Sequence, residues 1–139
     1  MGSVETITRM IYRYCELFDS GDFDGFAKQF EHGRMGGREI GSASLRQWID
    51  DHIILYDGSP CTRHLTTNLV VDVDEDAGTA TARSYVTLLH SAPGYPMTIV
   101  GCAEYHDRFE RVDGAWRWAE RKVVNQLDGD TTRHVRVPA

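Results

Sequence analysis

The hydrophobic period of this sequence changes once, near residue 60, and that change constrains the fold more than any other feature. Before it, apolar residues recur every three or four positions, which is typical of amphipathic helices. After it, apolar and polar residues alternate, which is typical of strands with one buried face. Helices followed by a run of strands predict a domain of the α+β class. Four strands are predicted, at about 62–74, 79–91, 97–112 and 115–125.

Turn and cap residues set the limits of the predicted helices. The apolar stripe of the first helix ends where Gly21 breaks it. Asp22 is placed to cap a short second helix. Ser44 followed by Gln47 is a capping-box pattern and predicts the start of a third helix. Residues 31–43, which are rich in glycine and serine, are predicted to form an irregular loop or a short edge strand.

The predicted strands are long, and long strands accumulate twist. Asp113 and Gly114 predict a tight hairpin before the last strand, because both residue types tolerate positive φ. The simplest packing places the helices in the hollow of a curled antiparallel sheet and leaves a cavity. We therefore predict a cone-shaped barrel, followed by a polar and loose C-terminal tail over about residues 127–139.

Length, charge and cysteine content limit the class of protein. The 139 residues suffice for one core, so a single domain over 1–139 is predicted, with its core at about 4–126. The net charge is −6 and no basic stripe is visible, so nucleic acid is not an expected partner. No apolar run approaches the length of a membrane span, so no membrane partner is expected. The three cysteines lie far apart, which predicts reduced thiols and a cytoplasmic location.

Asp19 is the residue that first suggests chemistry. It follows Cys15 by four residues and Ile11 by eight, so on a continuing helix it shares their inward side. A carboxylate in that position loses hydration and needs a partner. The alternative is a last helical turn in which Asp19 points to water and helps to cap the second helix.

Two histidines and one arginine on the predicted strands are further candidates. His90 alternates with small and apolar residues, so it faces inward either as a core residue or as a site residue. His64 has the opposite parity to Leu65 and the later apolar residues of its strand, so it points away from the core unless a bulge re-aims it. Arg121 also has inward parity, where it must find an anion, by default in a structural salt bridge.

The other histidines carry less signal. His52 lies on the inner face of the third helix, His106 falls on a solvated strand face, and His32 and His134 stand in irregular stretches without a pattern. No pair of histidines has metal-ligand spacing and no nucleotide-binding motif occurs, so neither a metal nor a cofactor is predicted. What remains is acid–base chemistry by aspartate and histidine, with a cation to stabilise developing negative charge.

The order of elements and the ending "YHDRFERVDGAWRWAERKV" resemble the nuclear transport factor 2-like superfamily, which includes the SnoaL-like domains. The resemblance covers about residues 4–126 and implies a cystatin-like, cone-shaped α+β barrel with a pocket at its mouth. Within the superfamily, "LFDSGDFDGF", "TRHLTTN" and "LLH" resemble the segments of scytalone dehydratases that carry acid–base residues. "WRWAERKV" resembles the arginine-bearing segment of lindane dehydrochlorinases.

The resemblance implies a catalytic role for each of four candidates. Asp19 would orient and charge-balance His64, and His64 would transfer a proton. His90 would hold the substrate or serve as a second acid or base. Arg121 would supply the cation.

Substrate-binding residues are predicted partly from the resemblance and partly from apolar or inward-facing positions on the helices. The scytalone dehydratases have a tyrosine before the aspartate that helps to bind a carbonyl, and this sequence has Phe18 there. Tyr14, one turn earlier, is the candidate to replace it. The predicted substrate-binding residues are Tyr14, Phe18, Phe23, Trp48 and His52.

These expectations predict a cofactor-free lyase that eliminates water or another small leaving group from a small cyclic substrate. The alternatives are an isomerase or polyketide-cyclase-like enzyme using the same pocket, or a non-catalytic module for ligand binding or assembly. A homo-oligomer, dimer or trimer, is expected to form through the outer face of the sheet, on the side of Trp116 and Trp118.

Overall fold

Three helices form the first part of the chain in the computed structural model, which describes residues 1–36 and 41–136. Gly21 has a φ of 81° and ends the first helix, as predicted. The Asp22 carboxylate accepts a hydrogen bond from the Gly25 backbone N–H, which confirms the predicted cap. None of the helices in these ranges is long and apolar enough to cross a membrane. The helices are α1 (Ser3–Asp19), α2 (Phe23–Lys28) and α3 (Ser42–His52).

The predicted capping box of the third helix is wrong. α3 begins at Ser42, its N-cap is Gly41, and no side chain caps it. Ser44 therefore lies inside the first turn rather than before it. Of the stretch predicted as a loop or edge strand, Arg34–Met35 forms the short edge strand β1, and residues 37–40 lie outside the described part.

In the part of the chain that the structure describes, five strands make one curved sheet in the order β1-β5-β4-β3-β2. The four long strands pair antiparallel as predicted, and β1 pairs parallel with β5. The last strand continues to Asp128, past the predicted end at 125. This α+β architecture confirms the predicted fold class. The long strands are β2 (Thr62–Asp74), β3 (Thr79–His90), β4 (Thr98–Val112) and β5 (Ala115–Asp128).

A bulge in β2 reverses the side-chain parity of that strand. The pairing with β3 shifts between Thr67 and Val70, and Asn68 in the bulge has a φ of 55°. Before the bulge, His64 belongs to the inward-facing set and Leu65 is exposed; after it, Leu69, Val71 and Val73 face inward. The assignment of Leu65 to the core face is therefore wrong, and the bulge is what turns His64 inward.

The core lies between the helices and the concave face of the sheet. Trp118 is completely buried there and stacks on Phe30, with ring centroids 4.9 Å apart. Trp116 is partly buried against the same core, and its indole N–H donates to the Ser3 hydroxyl at 3.2 Å. Both tryptophans therefore serve the inside of the fold, and their predicted place at an outer association surface is wrong.

The chain after β5 returns across α3 instead of remaining loose. We call residues 129–136 the C-terminal segment. The Ile54 N–H donates to the His134 carbonyl at 3.0 Å, and the Arg136 N–H donates to the His52 carbonyl at 2.7 Å. These backbone bonds fix the segment at one side of the cone, because an anchored backbone has little freedom left. Residues 137–139 of the predicted tail lie outside the described part.

Candidate active site

A cavity of about 710 Å³ lies between the helices and the concave face of the sheet. This volume is in the range of small-molecule sites, which are mostly apolar with a few polar groups. Most of the wall is apolar, from Phe18, Phe26, Trp48 and Ile53 on the helical side and Val86 on the sheet. Its polar side chains come mainly from Tyr14, His64, Cys102, Tyr105, Gln126, Asp128, Thr131 and His134.

Asp19 and His64 form a hydrogen-bonded pair at this cavity. Asp19 is the last residue of α1 and His64 is the third residue of β2. Asp19 Oδ1 lies 2.7 Å from His64 Nδ1 and 2.8 Å from the Thr62 hydroxyl, and Oδ2 accepts the His64 backbone N–H at 2.8 Å. The side chains are only 10% and 8% exposed, respectively. The alternative in which Asp19 points to water is therefore wrong.

The carboxylate determines which nitrogen of His64 is free. Burial by itself raises the pKa of Asp19, but the hydrogen bonds and charge of His64 outweigh it and hold that pKa below its ordinary value. An ionised carboxylate only accepts, so Nδ1 of His64 must carry the hydrogen. In the neutral imidazole the lone pair is then on Nε2, which is the nitrogen that can exchange a proton with a substrate.

Aromatic rings surround the imidazole of His64. The ring of Phe18 stands edge-on to it at 5.1 Å between centroids, and the ring of Tyr14 at 5.9 Å. Phe18 has no hydroxyl group and therefore offers no hydrogen bond here. The Tyr14 hydroxyl lies one helical turn away and is 3.3 Å from the Tyr105 hydroxyl. Burial raises the pKa of both tyrosines, so both stay protonated and able to donate.

Arg121 does not line the cavity. Its Nε and Nη2 donate to the two oxygens of Asp107 at 2.7 and 2.9 Å, and both side chains are fully buried. The guanidinium carbon lies 3.7 Å from the centre of the Tyr105 ring and 4.3 Å from that of Tyr14. Burial opposes the charge, but Asp107 outweighs it and raises the pKa of Arg121. The default expectation, a structural salt bridge, is what the structure contains.

His90 also lies outside the wall of the cavity. It ends β3, is buried, and has the rings of Tyr56 and His134 as neighbours at 5.8 and 5.7 Å. Burial lowers its pKa, and the nearby charge of Arg133 lowers it further. His90 therefore stands behind the cavity rather than in it.

His134 is the histidine that the sequence did not single out. It belongs to the C-terminal segment, lines the cavity and is 7% exposed. Burial lowers its pKa to about 4, helped by the nearby His90 and His64. No periodic pattern points to it, because it follows the last strand. Only the fold, in which this segment returns across α3, brings it to the site.

Of the other predicted substrate-binding residues, Trp48 lines the cavity and two others stand behind the wall. Phe23 is buried against Phe18, with centroids 5.2 Å apart. His52 stacks on Trp48 at 4.8 Å, and its Nδ1 lies 2.9 Å from the Trp48 carbonyl oxygen. In residues 1–36 and 41–136, no three His, Cys, Asp or Glu side chains are grouped as metal ligands would be.

A helix-filled cone with an aspartate–histidine pair at its cavity defines a protein of the nuclear transport factor 2-like class. The chain belongs to the SnoaL-like domain family, whose model matches residues 2–122. Both findings confirm the resemblance seen in the sequence.

Solved structures show the same fold. A protein of unknown function from Mycobacterium tuberculosis is 28% identical, with a TM-score of 0.70 over 87% of this chain and 74% of that chain. A nuclear transport factor 2-like protein with a cystatin-like fold from Novosphingobium aromaticivorans is 25% identical, with a TM-score of 0.71 over 93% and 84%. No curated protein sequence matches the chain.

A second Novosphingobium aromaticivorans protein, provisionally named a scytalone dehydratase, is 20% identical, with a TM-score of 0.66 over 91% of this chain and 87% of that chain. At this identity the likeness shows the fold alone. The activity of this chain must therefore be argued from its own site.

Proposed function

We propose that this protein is a cofactor-free lyase that removes a proton next to a carbonyl of a small cyclic substrate and expels water or another small leaving group. The observation that carries the proposal is the 2.7 Å contact between Asp19 Oδ1 and His64 Nδ1 at the wall of a mostly apolar cavity. A non-catalytic binding module need not keep an inward aspartate–histidine pair.

His64 acts as the base and then as the acid. Its Nε2 takes the proton from the carbon next to the carbonyl, and Asp19 stabilises the imidazolium that forms. The same proton then passes to the departing hydroxyl, the carbon–oxygen bond breaks, a carbon–carbon double bond forms and water leaves. The protein ends in its starting state, so the cycle needs no co-reactant.

The remaining predicted residues have supporting roles. Tyr14 and Tyr105 are the tyrosines that line the cavity, and their hydroxyls donate to the enolate oxygen. Phe18 and Trp48 contact the ring of the substrate, and Arg121 acts only through the two phenols above it.

An isomerase or cyclase of the same family is the second candidate, because proton removal next to a carbonyl is its first step as well.

The free thiols of Cys15, Cys61 and Cys102 support the proposal of a cytoplasmic protein. We also propose a single domain that forms a homo-oligomer through the outer sheet face, where Val70 and Tyr85 are exposed. Light scattering on a size-exclusion column tests this, and a monomer at micromolar concentration contradicts it.

The test of the activity is a panel of cyclic ketones and cyclic β-hydroxy ketones incubated with the protein in D₂O. Proton NMR reports exchange of the proton next to the carbonyl, and ultraviolet absorbance reports the enone that loss of water produces. Loss of water identifies a lyase, whereas exchange with rearrangement identifies an isomerase.

The variant His64→Gln is expected to reduce the catalysed rate by about 10²–10⁴-fold, which is the usual contribution of a general base. The matched control is His106→Gln, an exposed histidine on the outer sheet face, which is expected to keep the full rate. Near-full activity in His64→Gln contradicts the assignment of the base.

A further inference from the structure

Two neighbouring buried histidines each have a ring nitrogen without a partner. His90 Nε2 and His134 Nδ1 are buried and make no hydrogen bond within the part of the chain that the structure describes. Their ring centroids are 5.7 Å apart, with the planes at 54°. Buried polar atoms are normally paired, so two unpaired nitrogens on adjacent rings call for an explanation.

The protonation of His90 is fixed from its other side. Burial lowers the pKa of His90, and the Pro60 backbone on the other side of the ring opposes this by favouring a ring N–H there. Proline has no N–H, so its carbonyl accepts and His90 must donate. The donating nitrogen is Nδ1, because Nε2 is the unpaired one. His90 in its neutral form therefore presents a lone pair on Nε2.

His134 is held in position by its backbone. Its N–H donates to the Thr131 carbonyl at 2.9 Å, and its carbonyl accepts from the Ile54 N–H at 3.0 Å. The neighbouring Arg133 carbonyl accepts the Tyr56 hydroxyl at 2.6 Å. Because Nδ1 is the buried nitrogen and the residue lines the cavity, Nε2 is the nitrogen left for a ligand.

We propose that His134 is a second substrate-binding residue, which accepts a hydrogen bond at Nε2 from a hydroxyl group of the substrate. No hydrogen bond joins the two rings, but the lone pair on the neighbouring His90 Nε2 favours a hydrogen on the buried Nδ1 of His134, so His90 positions it from behind. The inference deepens the proposed function, since it names hydroxylated ring compounds as the substrate class, and binding alone tests it. It also gives His90 the role of a positioning residue rather than of a group that touches the substrate.

The electrostatic surroundings suit an acceptor. His64 and His90 oppose a positive charge on His134, Asp19 favours one, and burial decides the balance. The resulting pKa of about 4 leaves the imidazole neutral at physiological pH, so one nitrogen keeps its lone pair. His134 also lies beyond residue 122, where the family match ends.

The binding test uses phenol and anisole, which share the aromatic ring and its oxygen; anisole replaces the O–H hydrogen with a methyl group, so only phenol can donate. Calorimetry or NMR titration on the full chain is expected to show phenol binding roughly three- to tenfold more tightly, the usual effect of one neutral hydrogen bond. His134→Phe is expected to abolish this preference, and His134→Gln, which retains an acceptor, to keep part of it.

His64 is the competing acceptor in the same cavity, so His64→Gln is the decisive second arm. The proposal requires the preference for phenol to survive in His64→Gln. Equal binding of phenol and anisole by the unaltered protein overturns it, as does a preference that His64→Gln removes and His134→Phe leaves intact. Because these outcomes involve no turnover, they are independent of the activity test above.

The role of His90 is tested by nitrogen-15 NMR of the histidine rings in the labelled full chain. His134 is expected in a single neutral form with the hydrogen on Nδ1, and His90→Leu is expected to convert it to a mixture of both forms. Exposed His32 provides the control resonance, which His90→Leu leaves unchanged. A His134 ring with its hydrogen on Nε2 in the unaltered protein overturns this arrangement.

Discussion

Two carboxylates inside this protein each pair with a basic side chain, and the two pairs differ in whether that side chain reaches the cavity. Asp19 and His64 meet at 2.7 Å beside the cavity, and the histidine keeps a nitrogen free. Asp107 and Arg121 meet at 2.7 and 2.9 Å, are fully buried, and the Arg121 guanidinium lies against the rings of Tyr14 and Tyr105. The first pair can exchange a proton with a ligand, whereas the second cannot reach one.

The difference teaches that a buried ion pair does not by itself mark a site. Sequence parity placed His64 away from the core unless a bulge re-aimed it, and Arg121 on the inside, yet His64 is the one that lines the cavity. Arginine also remains protonated at any working pH and offers no lone pair. The Asp107–Arg121 pair lies beneath Tyr105 and Tyr14, and the site of the proposed chemistry is on the other side of these rings.

The largest effect is expected when the fully buried Asp107–Arg121 pair is broken. Asp107→Asn leaves Arg121 charged and uncompensated in the core, so the free energy of unfolding should fall by about 3–5 kcal/mol. Urea denaturation measures it. The control Glu5→Gln removes half of an exposed pair with Arg9 and should have little effect. A loss for Asp107→Asn no larger than that of the control contradicts this account.

The second largest effect is expected when the Asp19–His64 pair at the cavity is broken, and it should appear as a loss of activity. Asp19→Asn places an amide at His64 Nδ1, which removes the charge that stabilises the imidazolium and the preference for the reactive form of the ring. The rate of proton exchange should fall on the order of 10²-fold. The matched control is Asp76→Asn in an exposed turn. The comparison is contradicted if Asp19→Asn keeps its activity and lowers the free energy of unfolding as much as Asp107→Asn does. Both pairs would then have only a structural role.

The third effect concerns pH and the cavity side of the molecule. His134 has a pKa of about 4 when folded, against 6.5 ordinarily, so between these values the unfolded chain binds the extra proton. Stability should therefore fall as the pH drops from 6.5 towards 4. Urea midpoints at pH 7, 5.5 and 4.5 measure this. His134→Gln should lessen the acid loss, and His32→Gln should not.

Asp19 contributes in a different window. Its folded pKa lies below the ordinary 3.8, so its contribution is complete above that value and is lost only as the pH falls through the lower, folded pKa. An acid loss between pH 6.5 and 4 that is unchanged by His134→Gln contradicts the burial of a neutral His134.

The smallest effect is expected at Tyr14, which lies between the cavity and the Asp107–Arg121 pair. Tyr14→Phe removes the 3.3 Å contact between the Tyr14 and Tyr105 hydroxyls but leaves the ring over Arg121. The free energy of unfolding should fall by only about 1 kcal/mol. Tyr12→Phe, on the exposed face of α1, is the control and should change nothing measurable. If Tyr14→Phe lowers the free energy of unfolding as much as Asp107→Asn does, the contact between the hydroxyls, and not the ion pair, is what stabilises this part of the core.

Much of the fold was predictable because its signals are local. Gly21 ends α1 and Asp22 caps α2 through groups only a few residues away. The β2 bulge was not predictable in the same way. An asparagine such as Asn68 tolerates a positive φ, but nothing nearby in sequence requires one there. One inserted residue then reversed the parity from which the place of His64 was judged.

The candidate site was predictable in part for the same reason. The helical spacing of Asp19 and the resemblance of "TRHLTTN" pointed to two residues that do come together. His90 and Arg121 were also expected to face inward, and both do, but behind the cavity wall. Parity tells which side of a strand a residue takes, and it does not tell how far the cavity extends along that side.

The sequence by itself determined the class of fold, since the period of apolar residues reflects how one helix or strand buries its own face. Only the tertiary structure decided which buried polar groups meet the cavity. Asp19 and His64 are 45 positions apart, and His134 reaches them from beyond the last strand. Their distances depend on the curl of the sheet, one bulge and the return of the C-terminal segment, all of which arise from packing between distant parts of the chain.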